Sequence, residues 1–493
     1  MFPWQKKKQT EAVEKRKTTK ISKNLKENVA YIEEQYSSSI NFDFESKELR
    51  TLVGRYHLFF YTTTIDSKLL SEHILTPLLN SKKDLPIPRT VTVPRVTPIK
   101  NMDDVERGLN TGSVIIFKDG AAEGFEAKIE DFKHRAIEKA ENEKTVKGPK
   151  DSFTESLPTN LSMFRKKIPS KDLIAEKIEV GIRPAMPVTL IYTRDLVNDK
   201  ILNNIKKRIK AITVDNIRNI EVLEQFLEER PRSLFPTLLY TERPDNAANY
   251  VSEGFIAILM DNSSSCLIAP MTIWGFFHSP EDRYLRWAFG NFSRLIRAGA
   301  YFITLFVSAS YVAITNYHSQ LVPIDLLLAI AASRERVPMP IVFEIILMEV
   351  AFELIREAGV RIPSPLGPTI GIVGALILGQ AAVEANIVSP IVVIIVALSG
   401  LSSFTAANYS INHTLRISRF IFIIAASFYG LLSLLGAILL WVAYVVSIDS
   451  FGVSYYSPAT PSTRSPRDTF FRMILKKEKW RPGYLNPKDW DKS

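Results

Sequence analysis

Apolar residues are spread unevenly along this chain. From residue 298 to 448 they gather into long runs, and only 13 of 151 positions are charged. Runs of about 20 apolar residues with little charge are candidates to cross a membrane. Five blocks stand out: 298–317, a broken second block, 369–388, 391–411 and 420–448. The second opens with a short run at 321–332. Ser333-Arg-Glu-Arg336, Pro338 and Pro340 interrupt it before it resumes over 341–355. The short piece predicts a re-entrant or interfacial helix rather than an ordinary span. The last block predicts a single tilted crossing.

Before residue 298 the pattern changes to short apolar runs followed by helical spacing. Leu58-Phe-Phe-Tyr61-Thr62 precedes a helical pattern from Ile65 to Ile74, and Leu190-Ile-Tyr192-Thr193 precedes another from Val197 to Ile205. A second block also recurs: Gly112-Ser-Val-Ile-Ile-Phe-Lys-Asp119 is similar to Gly254-Phe-Ile-Ala-Ile-Leu-Met-Asp261. Alternating strands and helices predict an α/β or α+β region. The recurrence predicts two related subdomains, with chance similarity of short βα units as the alternative. The join lies near Val146-Lys-Gly-Pro-Lys150, a turn signal. The expected organisation is a basic flexible arm (1–45), subdomain 1 (46–148), subdomain 2 (149–290), a helical membrane domain (291–448) and a basic tail (449–493).

Charge refines this picture. The 493 residues carry 62 Lys and Arg against 52 Asp and Glu, a net +10. Residues 1–26 hold nine of those basic residues and two Glu. Such an arm suits an anionic membrane surface or acts only as a solubilising tail. No aromatic interleaving supports nucleic-acid binding. The start lacks the apolar stretch of a signal peptide, so the soluble region is expected in the cytoplasm. The tail from residue 449, with nine basic and five acidic residues, is expected there too. Two ends on one side need an even number of crossings. Six crossings, counting the short piece, put Arg416 and Arg419 on the outer side against the positive-inside rule. Four crossings with a re-entrant pair is the other solution. The single Cys266 excludes a disulfide scaffold.

Candidate chemistry is confined to the helical region. Gly-x-Ser-x-Gly, the P-loop and His-Glu-x-x-His are absent from the sequence, so no enzyme and no cofactor is expected. Six His and one Cys show no metal-ligand spacing. Ionisable groups within apolar helices are costly and tend to face a bundle interior or a water path. Glu349, Glu353 and Glu357 are four apart and share a helix face. Gln380 and Glu384 are also four apart. Glu349, Glu353, Gln380 and Glu384 are therefore candidates for an ion path. The alternative is that Glu353, Arg356 and Glu357 lie at the bilayer surface or pair with Arg334 or Arg361. Gly371, Ala375 and Gly379 place small residues on one helix face, which permits close helix packing, with or without a pore beside it.

Several strings in order carry a resemblance. They include Leu239-Tyr-Thr-Glu-Arg-Pro-Asp245, Ser279-Pro-Glu-Asp282, Ile330-Ala-Ala-Ser-Arg-Glu-Arg336, Met348-Glu-Val-Ala-Phe-Glu353, Gly379-Gln-Ala-Ala-Val-Glu384 and Phe451-Gly-Val453. From about residue 55 to 485 the chain resembles the A subunits of spore germinant receptors. The resemblance implies a multi-pass protein of the spore inner membrane. It implies a homo-oligomer that releases ions when nutrients are sensed, beside a transporter-like B subunit and a lipoprotein C subunit. A related paralogue, stage V sporulation protein AF, shares the expected fold, but residues 261–284, with Trp274-Gly-Phe-Phe-His278, look more like a receptor subunit. A non-conducting scaffold for the B and C subunits is the competing function.

Overall fold

Two five-stranded sheets form the first half of the chain. The computed structural model describes residues 20–132, 143, 145–183, 185–360, 366–465 and 469–492, and gives no side-chain surroundings for residue 360 or residues 366–372. The first sheet contains β1 (Phe44–Thr51), β2 (Gly54–Tyr61), β3 (Val96–Ile99), β4 (Ser113–Lys118) and β5 (Gly124–Lys128), in the order β1-β2-β4-β5-β3. The second contains β6 (Leu173–Val180), β7 (Met186–Thr193), β8 (Leu239–Thr241), β9 (Ile256–Met260) and β10 (Cys266–Ala269), in the order β6-β7-β9-β10-β8. The two orders are the same, as the recurring motifs predict. Leu58 pairs with Ile116 in the first sheet, and Leu190 with Ile258 in the second. All the strand pairings are antiparallel, so of the two expected classes the α+β form is found.

Helices cover both faces of each sheet, which is why the central strands read as unbroken apolar runs rather than alternating ones. In sheet 1, Leu58 and Phe60 face one core and Phe59 and Tyr61 the other. Helix α1 (Leu25–Gln35) and helix α2 (Met102–Asn110) close the second of these cores. This corrects the reading of residues 1–45 as a flexible arm. Residues 1–19 lie outside the described residues, but Asn24 caps α1 and Leu25 and Ile32 are buried. Two buried apolar side chains seven residues apart in a charged segment are a weak sequence signal for a packed helix.

Sheet 2 is flanked by α3 (Leu157–Lys167), α4 (Asp199–Ala211), α5 (Ile220–Leu227) and α6 (Pro244–Val251). On α4, Asn198 accepts from the Lys200 N–H at the N-terminus, and Ile201, Ile205 and Ile209 form the buried stripe. The halves meet at Arg165. Its guanidinium binds Asp43 at 2.7 Å, Asn41 at 2.8 Å and the Leu173 carbonyl at 2.6 Å, and stacks on the Tyr61 ring.

Seven helices follow: α7 (Trp287–Tyr317), α8 (Ile324–Arg334), α9 (Ile341–Val360), α10 (Leu366–Glu384), α11 (Pro390–Ser403), α12 (Tyr409–Tyr429) and α13 (Leu431–Val446). Contacts fix their directions. The start of α7 is held to the sheet region, because Arg294 and Arg297 both bind Asp282. Its far end meets α12, where Tyr317 donates to the Ser427 carbonyl. Helix α8 stays at that far end, since its last residue, Arg334, pairs with Glu344 in the first turn of α9. Glu344 also accepts from the Ser389 N–H just before α11, and Arg356 late in α9 reaches Gly400 and Ser403 late in α11. Helices α9 and α11 therefore both run toward the sheets. Helix α10 runs away between them, with Gly374 against Ile355 and Gly379 against Val393.

Helix α12 starts at the sheet region, where Thr414 donates to the Leu234 carbonyl, and α13 returns to it, where Arg230 binds Ser447 at 3.0 Å. The block at 420–448 is thus a hairpin rather than the single span its hydropathy predicts. Gly430 makes the turn at φ +63°, and a Cβ there would lie 2.7 Å from that of Tyr317. Six helices run the length of the bundle and both described ends lie on the sheet side. This direction also returns Arg416 and Arg419 to the sheet side.

The tail folds back onto sheet 2. Ser450 donates to the Thr237 carbonyl at 2.8 Å, Tyr455 packs beside Phe235 and Phe276, and Asn198 donates to the Leu485 carbonyl at 2.9 Å.

Candidate functional site: an ion network inside the helical bundle

The densest group of charges in the helical region lies where α9, α11 and α12 meet α7. Four-residue spacing brings Glu349 and Glu353 to one face of α9, and three-residue spacing does the same for Arg416 and Arg419 on α12. Arg419 bridges both carboxylates, at 2.9 Å to Glu349 and 2.7 Å to Glu353. Arg416 forks onto Glu353, with its Nε at 3.1 Å. Arg356 sits 3.8 Å from Glu353 and donates to Ser403 at 2.6 Å. Ser308 of α7 donates to Glu349 at 2.8 Å, and Arg419 donates to Ser399 of α11 at 3.0 Å.

Burial sets the energetics. Glu349 is 0% exposed and Arg419 1%. A buried ion carries several kcal/mol of desolvation, which only close partners offset. The network ties four helices together and lies on the sheet side of the bundle, because Thr414 on the same helix already touches Leu234.

The other candidates fall elsewhere. Gln380 donates to Glu384 at 3.0 Å on the exposed face of α10. Gly379 is buried against Val393, and Ala375 is half-buried. The surroundings of Gly371 lie outside the described residues. Arg334 pairs with Glu344 rather than Glu353, and Arg361 lies outside the described residues. The Arg416/Arg419 pair was not tied to the glutamates by sequence reasoning. The available signal was complementary spacing: two Glu four apart and two Arg three apart, both within apolar helices.

Apolar side chains cover the outside of the bundle, among them Phe302, Leu376, Leu432 and Leu440. Among the described residues, only α7 is long and apolar enough to cross a membrane by that measure alone. Helix α11, with 14 residues, is about 21 Å long, shorter than a bilayer core of about 30 Å. Helices α9 and α12 carry the network charges.

A cleft of about 90 Å³ lies in the sheet region between α6, the α7 entrance and the tail, lined by Asn249, Glu253, His278 and Tyr484 among others. Glu253 is engaged by Arg283 at 2.9 Å and Lys492 at 2.7 Å.

Sequence comparison shows the family. Residues 30–484 match the family described as Bacillus/Clostridium GerA spore germination protein. The chain belongs to the GerA spore germination family. Spore germination protein KA of Bacillus subtilis is 35% identical over 97% of this chain and 89% of its own length. Spore germination protein A1 of the same organism is 32% identical over 93% of this chain and 95% of its own. Among solved structures, the N-terminal domain of the A subunit of the Bacillus megaterium spore germinant receptor GerK3 is 26% identical. That match covers 52% of this chain and 98% of the other, with a TM-score of 0.40.

Proposed function

We propose that this chain is the A-type subunit of a nutrient-sensing germination receptor and acts as an oligomeric, ligand-gated ion channel of the spore inner membrane. Six helices cross the membrane in this reading, α8 lies at the far face, and residues 46–148 and 149–290 form two cytoplasmic subdomains. The transporter-like B subunit and the lipoprotein C subunit are its partners, as the family resemblance implies.

The observation that carries the channel reading is α10. It is an apolar helix that presents Gln380 and Glu384 outward. A carboxylate facing lipid costs a few kcal/mol. Copies of α10 around a symmetry axis would surround the polar pair with water, while Gly379 packs against Val393 of its own chain and the half-buried Ala375 lies one turn away on that face. The ion network ties α9 to α12, and α12 and α13 are bonded to the sheet region through Thr414–Leu234 and Arg230–Ser447, a route through which a two-state rearrangement can pass. In this proposal Gln380 and Glu384 line the path, and the Glu349 and Glu353 ion pairs hold the helices behind it on the sheet side.

Ion flux from vesicles containing the full chain, with and without the B and C subunits, tests the reading. Ala375→Leu is expected to block assembly or conduction, and Glu384→Gln to change ion selectivity or rate. No flux in every subunit combination would favour a scaffold that holds the other subunits and conducts nothing.

A further inference from the structure

We propose that the tail segment from Phe470 to Trp480, together with the first turns of α7, docks onto a bilayer surface bearing anionic headgroups. This rests on the membrane-crossing reading of α7 and adds a lipid site outside the bundle.

The tail segment is held in place by specific bonds. Arg472 is 4% exposed. Its carbonyl accepts from the Trp287 indole N–H at 2.7 Å and from Asn291 at 3.1 Å. Its own N–H donates to the Asn291 side chain at 2.7 Å, and its guanidinium reaches the Asp282 and Leu285 carbonyls. Arg472 therefore fixes the segment beside the first turn of α7.

What this clamp leaves outside is apolar and aromatic. Phe471 is 54% exposed and Leu475 55%. Phe289 and Phe292 on the adjacent turns of α7 are 61% and 62% exposed. A cluster of this kind on a soluble surface marks an interaction site.

Two features select a lipid surface over a protein one. The apolar face is continuous with the outside of the bundle, because α7 carries on from Phe292 to Phe302, which is 65% exposed. The fully exposed charges described beside it are basic. Arg286, Lys476, Lys477 and Lys479 are exposed, whereas Glu478 is turned inward onto Arg283 and Lys492. Aromatic side chains next to basic ones suit the headgroup level of a bilayer, where the rings enter the acyl boundary and the amines meet phosphate. The segment thus acts as a second attachment of the sheet region to the membrane, in addition to the helix connections.

The test uses the full chain in vesicles without any other receptor subunit. Cys266 is the only cysteine and is fully buried, so Leu475→Cys carries a single nitroxide label. Leu52→Cys, at a position 88% exposed on the β1–β2 turn, is the aqueous control. In vesicles containing phosphatidylglycerol, the label at 475 should collide more with oxygen than with a water-soluble nickel chelate, and the label at 52 should show the reverse. The double variant Lys476→Glu/Lys477→Glu should move the label at 475 toward water. Nickel accessibility at 475 equal to that at 52 overturns the proposal. So does protection that arises only when a second receptor subunit, or a second copy in a detergent-stable oligomer, is present, because the face is then a protein interface. A chain released from vesicles by alkaline carbonate refutes the membrane reading itself. A chain that is retained with a water-exposed label at 475 refutes only the docking.

Discussion

Replacing Arg419 with Leu removes the cation that Glu349 and Glu353 share. The two carboxylates are not affected equally. Glu353 keeps the Arg416 fork, with Nε at 3.1 Å, and Arg356 at 3.8 Å. Glu349 keeps the Ser308 hydroxyl at 2.8 Å but loses its 2.9 Å ion pair, at a site that is 0% exposed. Breaking a buried pair from one side costs about 3–5 kcal/mol, and the lost bond to Ser399 adds about 1 kcal/mol. The reverse change, Glu349→Leu, should cost less, because Arg419 still binds Glu353 at 2.7 Å. Combining the two replaces an ion pair by two apolar side chains, which is often near neutral, so the double variant should recover most of the loss. Thermal unfolding of the full chain in detergent, run as a double-mutant cycle, reads all three. Melting of Arg419→Leu together with the parent would refute the argument. A double variant no more stable than the Arg419→Leu single would do the same.

Gly430→Ala should open the α12–α13 hairpin, because φ +63° with ψ −129° is a sparsely populated conformation that costs a side chain about 1–3 kcal/mol, and the new Cβ would meet that of Tyr317 at 2.7 Å. Limited proteolysis near residue 430 should accelerate, and unchanged cleavage would refute the turn. Burial, then the neighbouring Glu228 and Glu221, push the Glu224 carboxyl up to about 7. With the folded value above the unfolded one, its contribution is fully present below about pH 4.5 and is lost as pH rises through 7. At about 1.4 kcal/mol per unit this amounts to no more than about 3.5 kcal/mol. Glu224→Gln should flatten the fall in stability over that window, and an unaltered pH profile would count against it.

The doubled sheet was legible because its central strands are buried on both faces and so recur as apolar runs with a leading Gly. The antiparallel pairing was not, since strand order depends on contacts between distant segments. The glutamates at 349 and 353 were legible from their spacing within an apolar helix. Their arginine partners on α12, Arg416 and Arg419, lie more than 60 residues away, and nothing local links Glu353 to Arg416. The hairpin at Gly430 was hidden for another reason. The block from 420 to 448 also contains Gly436, which lies inside α13, where a Cβ would meet nothing within 4 Å. Composition cannot say which of two glycines turns the chain. Helix α1 escaped notice because its few apolar residues gain their meaning only from the rings of Phe44, Phe59 and Tyr61 against which they pack.

The folded-back tail has a consequence for the order in which the chain can mature. Phe451, Val453, Tyr455 and Leu485 belong to the same core as β7 and β9, yet the whole helical bundle separates them in sequence. Synthesis runs from the N-terminus, so sheet 2 is complete in backbone before any of these side chains exists. Its covering on that side waits until α13 has brought the chain back. Residues 449–492 therefore act as a closing step. A chain stopped within the bundle would leave the Phe235 and Phe276 surfaces open, and it would be marked for quality control by that exposed apolar surface. Only a chain that has traversed the bundle in full can hide it.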